Sequence, residues 1–178
     1  MIQTFLNIKN SVRNLSDVEF ENILPTLASE LEDVSFYYSY SDSDLLKDWK
    51  ELPSEDLALV QVAYSAMDRA YAPYSKFLVG AALILEDGTV VEGNNQENVA
   101  FPSGLCAERV ALFYAGATYP NAVIKTICIV AQGELMPASF LLSPCGSCRQ
   151  VLLESENRQR KAIRVIVVNQ DMRTLILD

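Results

Sequence analysis

The chain has 178 residues, half of them hydrophobic and 21% charged, which supplies enough apolar material for one core. Its formal charge of −9, from 14 basic and 23 acidic residues, argues against a nucleic-acid partner and against anionic membrane surfaces, since Lys and Arg carry most of such binding. No residue is a histidine, which excludes any triad or metal site built on imidazole, and four cysteines are too few for a secreted disulfide scaffold.

The charge is uneven. Residues 1–57 hold 12 acidic and 4 basic side chains, against 11 and 10 in the remainder, which places a boundary near Leu57. Residues 1–56 therefore read as an acidic extension and 57–178 as the main domain. The N-terminus lacks a basic stretch followed by an apolar one, so no secretory signal is expected, and no run approaches the ~20 apolar residues of a membrane span. With its cysteines unpaired, the chain reads as cytoplasmic.

In chain order, Asp17 to Leu31 suggests a helix interrupted by Pro25, followed by the aromatic segment Phe36–Tyr40 and an Asp-rich run. From Ser54 the pattern sharpens. Ser54, Glu55 and Asp56 make a cap and an acidic first turn for a helix whose Leu57, Val60, Ala63 and Met67 share a face and which Pro73 ends. FLVGAALIL and TVVEG read as strands joined by the hairpin signal Asp87-Gly88. CAERVALFYAGA reads as a helix, VIKTICIVA as a strand, CRQVLLESEN as a helix, and IRVIVVN and RTLILD as strands. The order α-β-β-α-β-α-β-β predicts an α/β domain with helices covering a largely buried sheet.

Three cysteines stand where chemistry is expected. Cys106 opens one predicted helix, and Pro144-Cys145-Gly146-Ser147-Cys148 opens another. A helix start presents unpaired N–H groups and partial positive charge, which favours thiolate. The C-x-x-C spacing lets two sulfurs reach one ion, and a third sulfur leaves one tetrahedral position open, as in catalytic zinc sites. Glu108, two residues past Cys106, can approach that position without ligating. Two bland readings use the same residues: a four-cysteine structural zinc site that recruits Cys128, and a redox pair of Cys145 and Cys148. Both leave Glu108 without a role. Cys128, inside an apolar strand, is most simply a small buried hydrophobe.

Four ordered motifs carry a wider likeness: Tyr71-Ala72-Pro73-Tyr74-Ser75-Lys76-Phe77 with Val79-Gly80-Ala81-Ala82-Leu83; Gly93-Asn94-Asn95-Gln96-Glu97-Asn98; Cys106-Ala107-Glu108-Arg109; and Pro144-Cys145-Gly146-Ser147-Cys148-Arg149-Gln150. From about Leu57 to Val168 the chain resembles the small zinc-dependent cytidine deaminases with three cysteine ligands. The resemblance implies a three-layer α/β/α sandwich around a mixed sheet of about five strands. It implies one zinc per chain on Cys106, Cys145 and Cys148, with Glu108 as the catalytic proton shuttle. It also implies Phe77, Asn95, Glu97 and Ala107 as substrate-binding residues and Arg109 as electrostatic support of the metal. The implied reaction is hydrolytic deamination of cytidine or deoxycytidine in pyrimidine salvage, by a homotetramer or a dimer. A blasticidin-type deaminase and a non-catalytic, zinc-stabilised binding protein are the alternatives. Phe101 stands where relatives often have Tyr, and the chain stops at Asp178, short of the family's usual C-terminal segment.

Overall fold

In the computed structural model, which describes residues 47–177, three helices and five strands follow the order expected from the pattern, preceded by one short edge strand. The strands are β1 (Lys47–Asp48), β2 (Leu78–Leu85), β3 (Val90–Asn94), β4 (Ile124–Gln132), β5 (Arg164–Val168) and β6 (Arg173–Leu177). The helices are α1 (Ser54–Met67), α2 (Ala107–Thr118) and α3 (Gly146–Gln159). The helix expected at Asp17–Leu31 and the segment Phe36–Tyr40 lie outside the described residues.

One mixed sheet runs in the order β1-β6-β5-β4-β2-β3. The pairs are antiparallel except β4–β5, which is parallel and is connected through α3. Five strands are long, and β1 adds two residues at the β6 edge. That edge strand and the buried Leu52 belong to the fold, so its first packed residues precede the charge boundary near Leu57. The acidic residues Asp48, Glu51 and Glu55 are exposed, which is why charge alone misplaces the start.

Side-chain alternation separates the two faces. Gly80 and Ala82 of β2, Cys128 and Val130 of β4, and Ile166 and Val168 of β5 lie under α1, packed with Leu59, Val60, Ala63 and Met67. The opposite face carries α2 and α3, with Gly93 of β3 against α2 and Leu85 of β2 beside Leu112 and Ala115. The result is the α/β/α sandwich with the sheet buried between its layers.

Two local expectations change. Helix α1 begins at Ser54 itself, and neither it nor Pro53 provides a side-chain cap; the Pro53 carbonyl accepts the first helical bond, from the Leu57 N–H, at 3.0 Å. Leu57 is only half-buried, whereas Asp56 is buried and pairs with Arg164 at 2.8 Å, so the inward face is rotated from the expected one. The helix also stops at Met67, well before Pro73, where the Asp68 and Arg69 amides close the last turn.

Two glycines set the distance between helices and sheet. A Cβ at Gly80 would stand 2.0 Å from the Ala63 carbonyl oxygen, and one at Gly93 would stand 2.4 Å from that of Ala107. Backbone cannot yield there as a flexible side chain would. Gly93→Ala is expected to push the start of α2 off β3 and to cost about 1–3 kcal/mol, the usual range for overpacking, read from urea unfolding. Thr89→Ala in the exposed hairpin is the control, and it should change stability by less than about 0.5 kcal/mol.

Candidate metal centre and active site

Cys106 is the residue immediately before α2, and Cys145 the residue immediately before α3. Cys148 lies in the first turn of α3 and is buried, while Cys145 is exposed and Cys106 half-buried. Because both helices start at the same end of the sheet face they share, the three sulfurs converge. Cys106 Sγ is 3.8 Å from Cys145 Sγ, Cys145 Sγ is 3.4 Å from Cys148 Sγ, and all three lie within 4.8 Å of one another. Among the described residues this is the only group of three or more metal-ligating side chains of its kind. A tetrahedral zinc with ~2.3 Å bonds to sulfur requires edges of about 3.8 Å, so the spacing and the chemistry of the donor set suit zinc.

The electrostatics support the same reading. Cys106 is pushed down to about 5 by a hydrogen bond from the Cys148 thiol, helped by the Arg109 guanidinium, whose Nη2 lies 3.8 Å from its sulfur. The Cys148 thiol, donating to Cys106 and buried, is pushed up. A cation among three clustered sulfurs favours their ionised form. Arg109 also donates to the Gly104 carbonyl at 3.5 Å, while its buried Nε has no hydrogen-bond partner among the described residues. Arg109 is therefore both a charge beside the sulfurs and a tie to the segment before α2.

Glu108 is 4% exposed in the first turn of α2. Burial raises its carboxyl pKa, and the Cys106 charge adds to the effect. A solvated first-turn carboxylate would be exposed with its charge favoured by the helix dipole, whereas Glu108 is buried with its pKa raised. Ala107, fully buried between Cys106 and Glu108, fixes the turn that places them.

The remaining site residues expected from the sequence form a second cluster beside the first. Gln96 and Leu105 exchange backbone hydrogen bonds at 2.9 and 3.0 Å, which sets the segment Asn95–Glu97 next to Cys106. The Asn95 carboxamide is engaged at both ends: its oxygen accepts from the Val79 N–H at 2.8 Å and its nitrogen donates to the Phe77 carbonyl at 2.9 Å. Glu97 accepts from the Tyr74 N–H at 2.8 Å, from the Ser75 N–H and from the Ser75 hydroxyl, which holds its carboxyl below the usual range. Phe77 is buried, and its ring meets the position where Gly133 would carry a Cβ. Ser75, which lies in the first of the four motifs, orients Glu97 through its hydroxyl and amide. Cys128 lies apart from the trio, fully buried under α1, and burial pushes its thiol up.

An α/β/α sandwich with a three-sulfur centre at paired helix starts and a buried glutamate beside it defines a class of zinc-dependent hydrolytic enzyme folds. Residues 53–164 match the family described as "Cytidine and deoxycytidylate deaminase zinc-binding region", and the chain belongs to that family. It is 45% identical over 96 residues to a cytidine deaminase of Sporosarcina psychrophila, covering 54% of this chain and 66% of that one. It is 42% identical over 92 residues to a cytidine deaminase of Mycobacterium tuberculosis, covering 52% and 65%. The chain thus spans about two thirds of the length of these curated relatives. Among solved structures, the cytidine deaminase of Burkholderia pseudomallei superposes with a TM-score of 0.60 at 34% identity, covering 71% of this chain and 93% of that one.

Removing one sulfur should separate the catalytic trio from the four-cysteine alternative. Cys145→Ser is expected to lower bound zinc by tenfold or more, and Cys128→Ser to leave it unchanged, read as metal content of the purified chain after dialysis against a weak chelator.

Proposed function

We propose that the chain catalyses hydrolytic deamination of cytidine or deoxycytidine, giving the uracil nucleoside and ammonia, with zinc held by Cys106, Cys145 and Cys148. The observation that carries this reading is Glu108: a carboxyl buried beside a three-sulfur donor set, with its pKa raised. Zinc bound there supplies Lewis acidity that makes water a competent nucleophile near neutral pH.

The chain's own groups do the rest. Glu108, with a proton affinity moved toward neutrality by burial, takes a proton from the attacking water and delivers it to N3 of the cytosine ring. The oxygen bonds to C4, and Glu108 then carries a second proton to the departing amino group, so that ammonia leaves as the C4–N bond breaks. Arg109 offsets negative charge on the Cys106 sulfur. Phe77 forms an apolar wall for the nucleoside. Glu97 keeps free acceptor capacity on its carboxylate for ribose hydroxyls, since a carboxylate offers about four acceptor sites. Asn95, with both ends of its amide engaged by backbone, acts here by holding Phe77 and Val79 in place.

The relatives reported above are cytidine deaminases, which favours this reaction over a blasticidin-type deaminase or a binding protein without turnover. Within the same reading the enzyme serves pyrimidine salvage in the cytoplasm; among the described residues no helix is long and apolar enough to cross a membrane. A homotetramer is supported by the exposed Phe113 and Tyr114 on α2 and by Phe101, 90% exposed, ahead of it.

Three measurements test this. Loss of cytidine absorbance, run beside adenosine, blasticidin S and a cytosine-containing oligonucleotide, should be seen with the free cytosine nucleoside alone. Glu108→Gln should retain fold and zinc but lose activity by at least about a hundredfold, since acid–base catalysis contributes at least that much; activity within tenfold of wild type would refute the shuttle role. Light scattering on the purified chain should give about four times 19.8 kDa, and a single-chain mass would reject the assembly.

A further inference from the structure

The sulfur trio depends on where the long connection between β4 and α3 ends. Residues 133–145 contain no helix or strand, and they deliver Cys145 to the trio. A connection of this length needs ties along its course to end at a fixed point. The ties come from one place. Gln170 Oε1 accepts from the Gly133 N–H at 2.9 Å, and Gln170 Nε2 donates to the Met136 carbonyl at 3.2 Å. Arg173 Nη2 donates to the Ser139 carbonyl at 3.4 Å. Asn169 Oδ1 accepts from the Leu142 N–H at 2.8 Å. The attachments fall at every third residue of the connection; three start from the tight turn between β5 and β6 and one from Arg173, the first residue of β6.

That turn is itself fixed to the sheet. The Asn169 N–H donates to the Arg173 carbonyl at 2.8 Å, and the Met172 N–H donates to the Asn169 carbonyl at 2.9 Å. From the other side the Trp49 N–H donates to the Met172 carbonyl at 3.1 Å. Asn169 is fully buried, and among the described residues its Nδ2 has no partner, so the bond its oxygen accepts from Leu142 is the one hydrogen bond its side chain makes there. Burying an amide for a single bond is unfavourable unless the bond it makes is needed. Three residues after Leu142 comes Cys145, reached through the buried Pro144, whose carbonyl accepts from Arg149 Nε at 3.0 Å.

We infer that the β5–β6 turn is a clamp on this connection and that Asn169 and Gln170 are positioning residues for the metal centre, setting where Cys145 stands relative to Cys106 and Cys148. The inference rests on the reading that these three cysteines bind zinc. Neither residue touches the metal or the substrate; each acts through the backbone that carries a ligand. Asn169→Ala releases the end of the connection nearest the ligand, and Gln170→Ala releases its beginning.

Metal affinity reads this without relying on turnover. Zinc binding by the full chain is measured against a competing chelator for wild type, Asn169→Ala, Gln170→Ala, Asn169→Asp and, as a matched loss of stability, Val60→Ala in the core under α1. Both alanine variants at the turn should weaken zinc by about tenfold or more, the usual size of an effect exerted on a ligand from behind. Asn169→Asp, which keeps an acceptor for the Leu142 N–H, should recover most of that loss, and Val60→Ala should bind zinc as wild type does. With Co2+ in place of zinc, the thiolate charge-transfer band should shrink in the alanine variants toward that of two sulfurs. Affinity within twofold of wild type in both, or a loss equal to that in Val60→Ala, would overturn the clamp. If Asn169→Ala does not fold, the half-buried Gln170→Ala carries the same comparison. Wild type that binds no zinc would overturn the reading of the cysteines and the clamp with it, whereas tight wild-type binding with unaffected variants would overturn the clamp alone.

Discussion

Three sulfurs can stand within 4.8 Å of one another in this fold only because two helices begin at the same point over one sheet face. Everything else in the domain serves that convergence. Gly93 lets α2 approach β3 until the Ala107 carbonyl occupies the space of a Cβ, which sets the height of Cys106 above the sheet. The parallel pairing of β4 and β5 directs α3 back over the same face, with its N-terminus at the end where β4 finishes. Both helix starts then aim unpaired N–H groups at the sulfurs, a field that favours negative charge on them.

The same geometry explains why one glutamate next to the metal centre is buried and the other carboxylate in the site is not. Glu108 is carried inward by the first turn of α2, where desolvation raises its proton affinity. Glu97 sits on the segment bridged to Leu105 and is met by two backbone amides and a hydroxyl, which stabilise its charge. Two carboxylates a short stretch of sequence apart are thus pushed in opposite directions, one suited to moving protons and the other to remaining an acceptor.

The metal centre was legible in the sequence because its signals are local: a C-x-x-C at a helix start, a third cysteine at another, and Glu108 one turn in. The strands were legible from their apolar runs and the Asp87-Gly88 hairpin. What sequence could not carry is non-local. The two residues of β1 form a strand only because β6 offers an edge, and the acidic character around them pointed to an extension instead. The helix cap at Ser54 failed because Pro53 already supplies the entry geometry, so the serine hydroxyl is not required there. The roles of Ser75, Asn169 and Gln170 are likewise invisible in a linear reading. Ser75 meets the Glu97 carboxylate and Asn169 and Gln170 meet backbone, each more than 20 residues away, and nothing in a Ser, Asn or Gln marks which distant group it will meet.

The central claim is that three sulfurs, and three alone, hold the metal, leaving one position for chemistry. X-ray absorption at the zinc edge of the purified chain counts ligands by scattering type. Three sulfurs near 2.3 Å with one lighter oxygen or nitrogen neighbour is the result this account predicts. Four sulfurs would contradict it, since the centre would then be closed and structural, and Glu108 would have nothing to act upon.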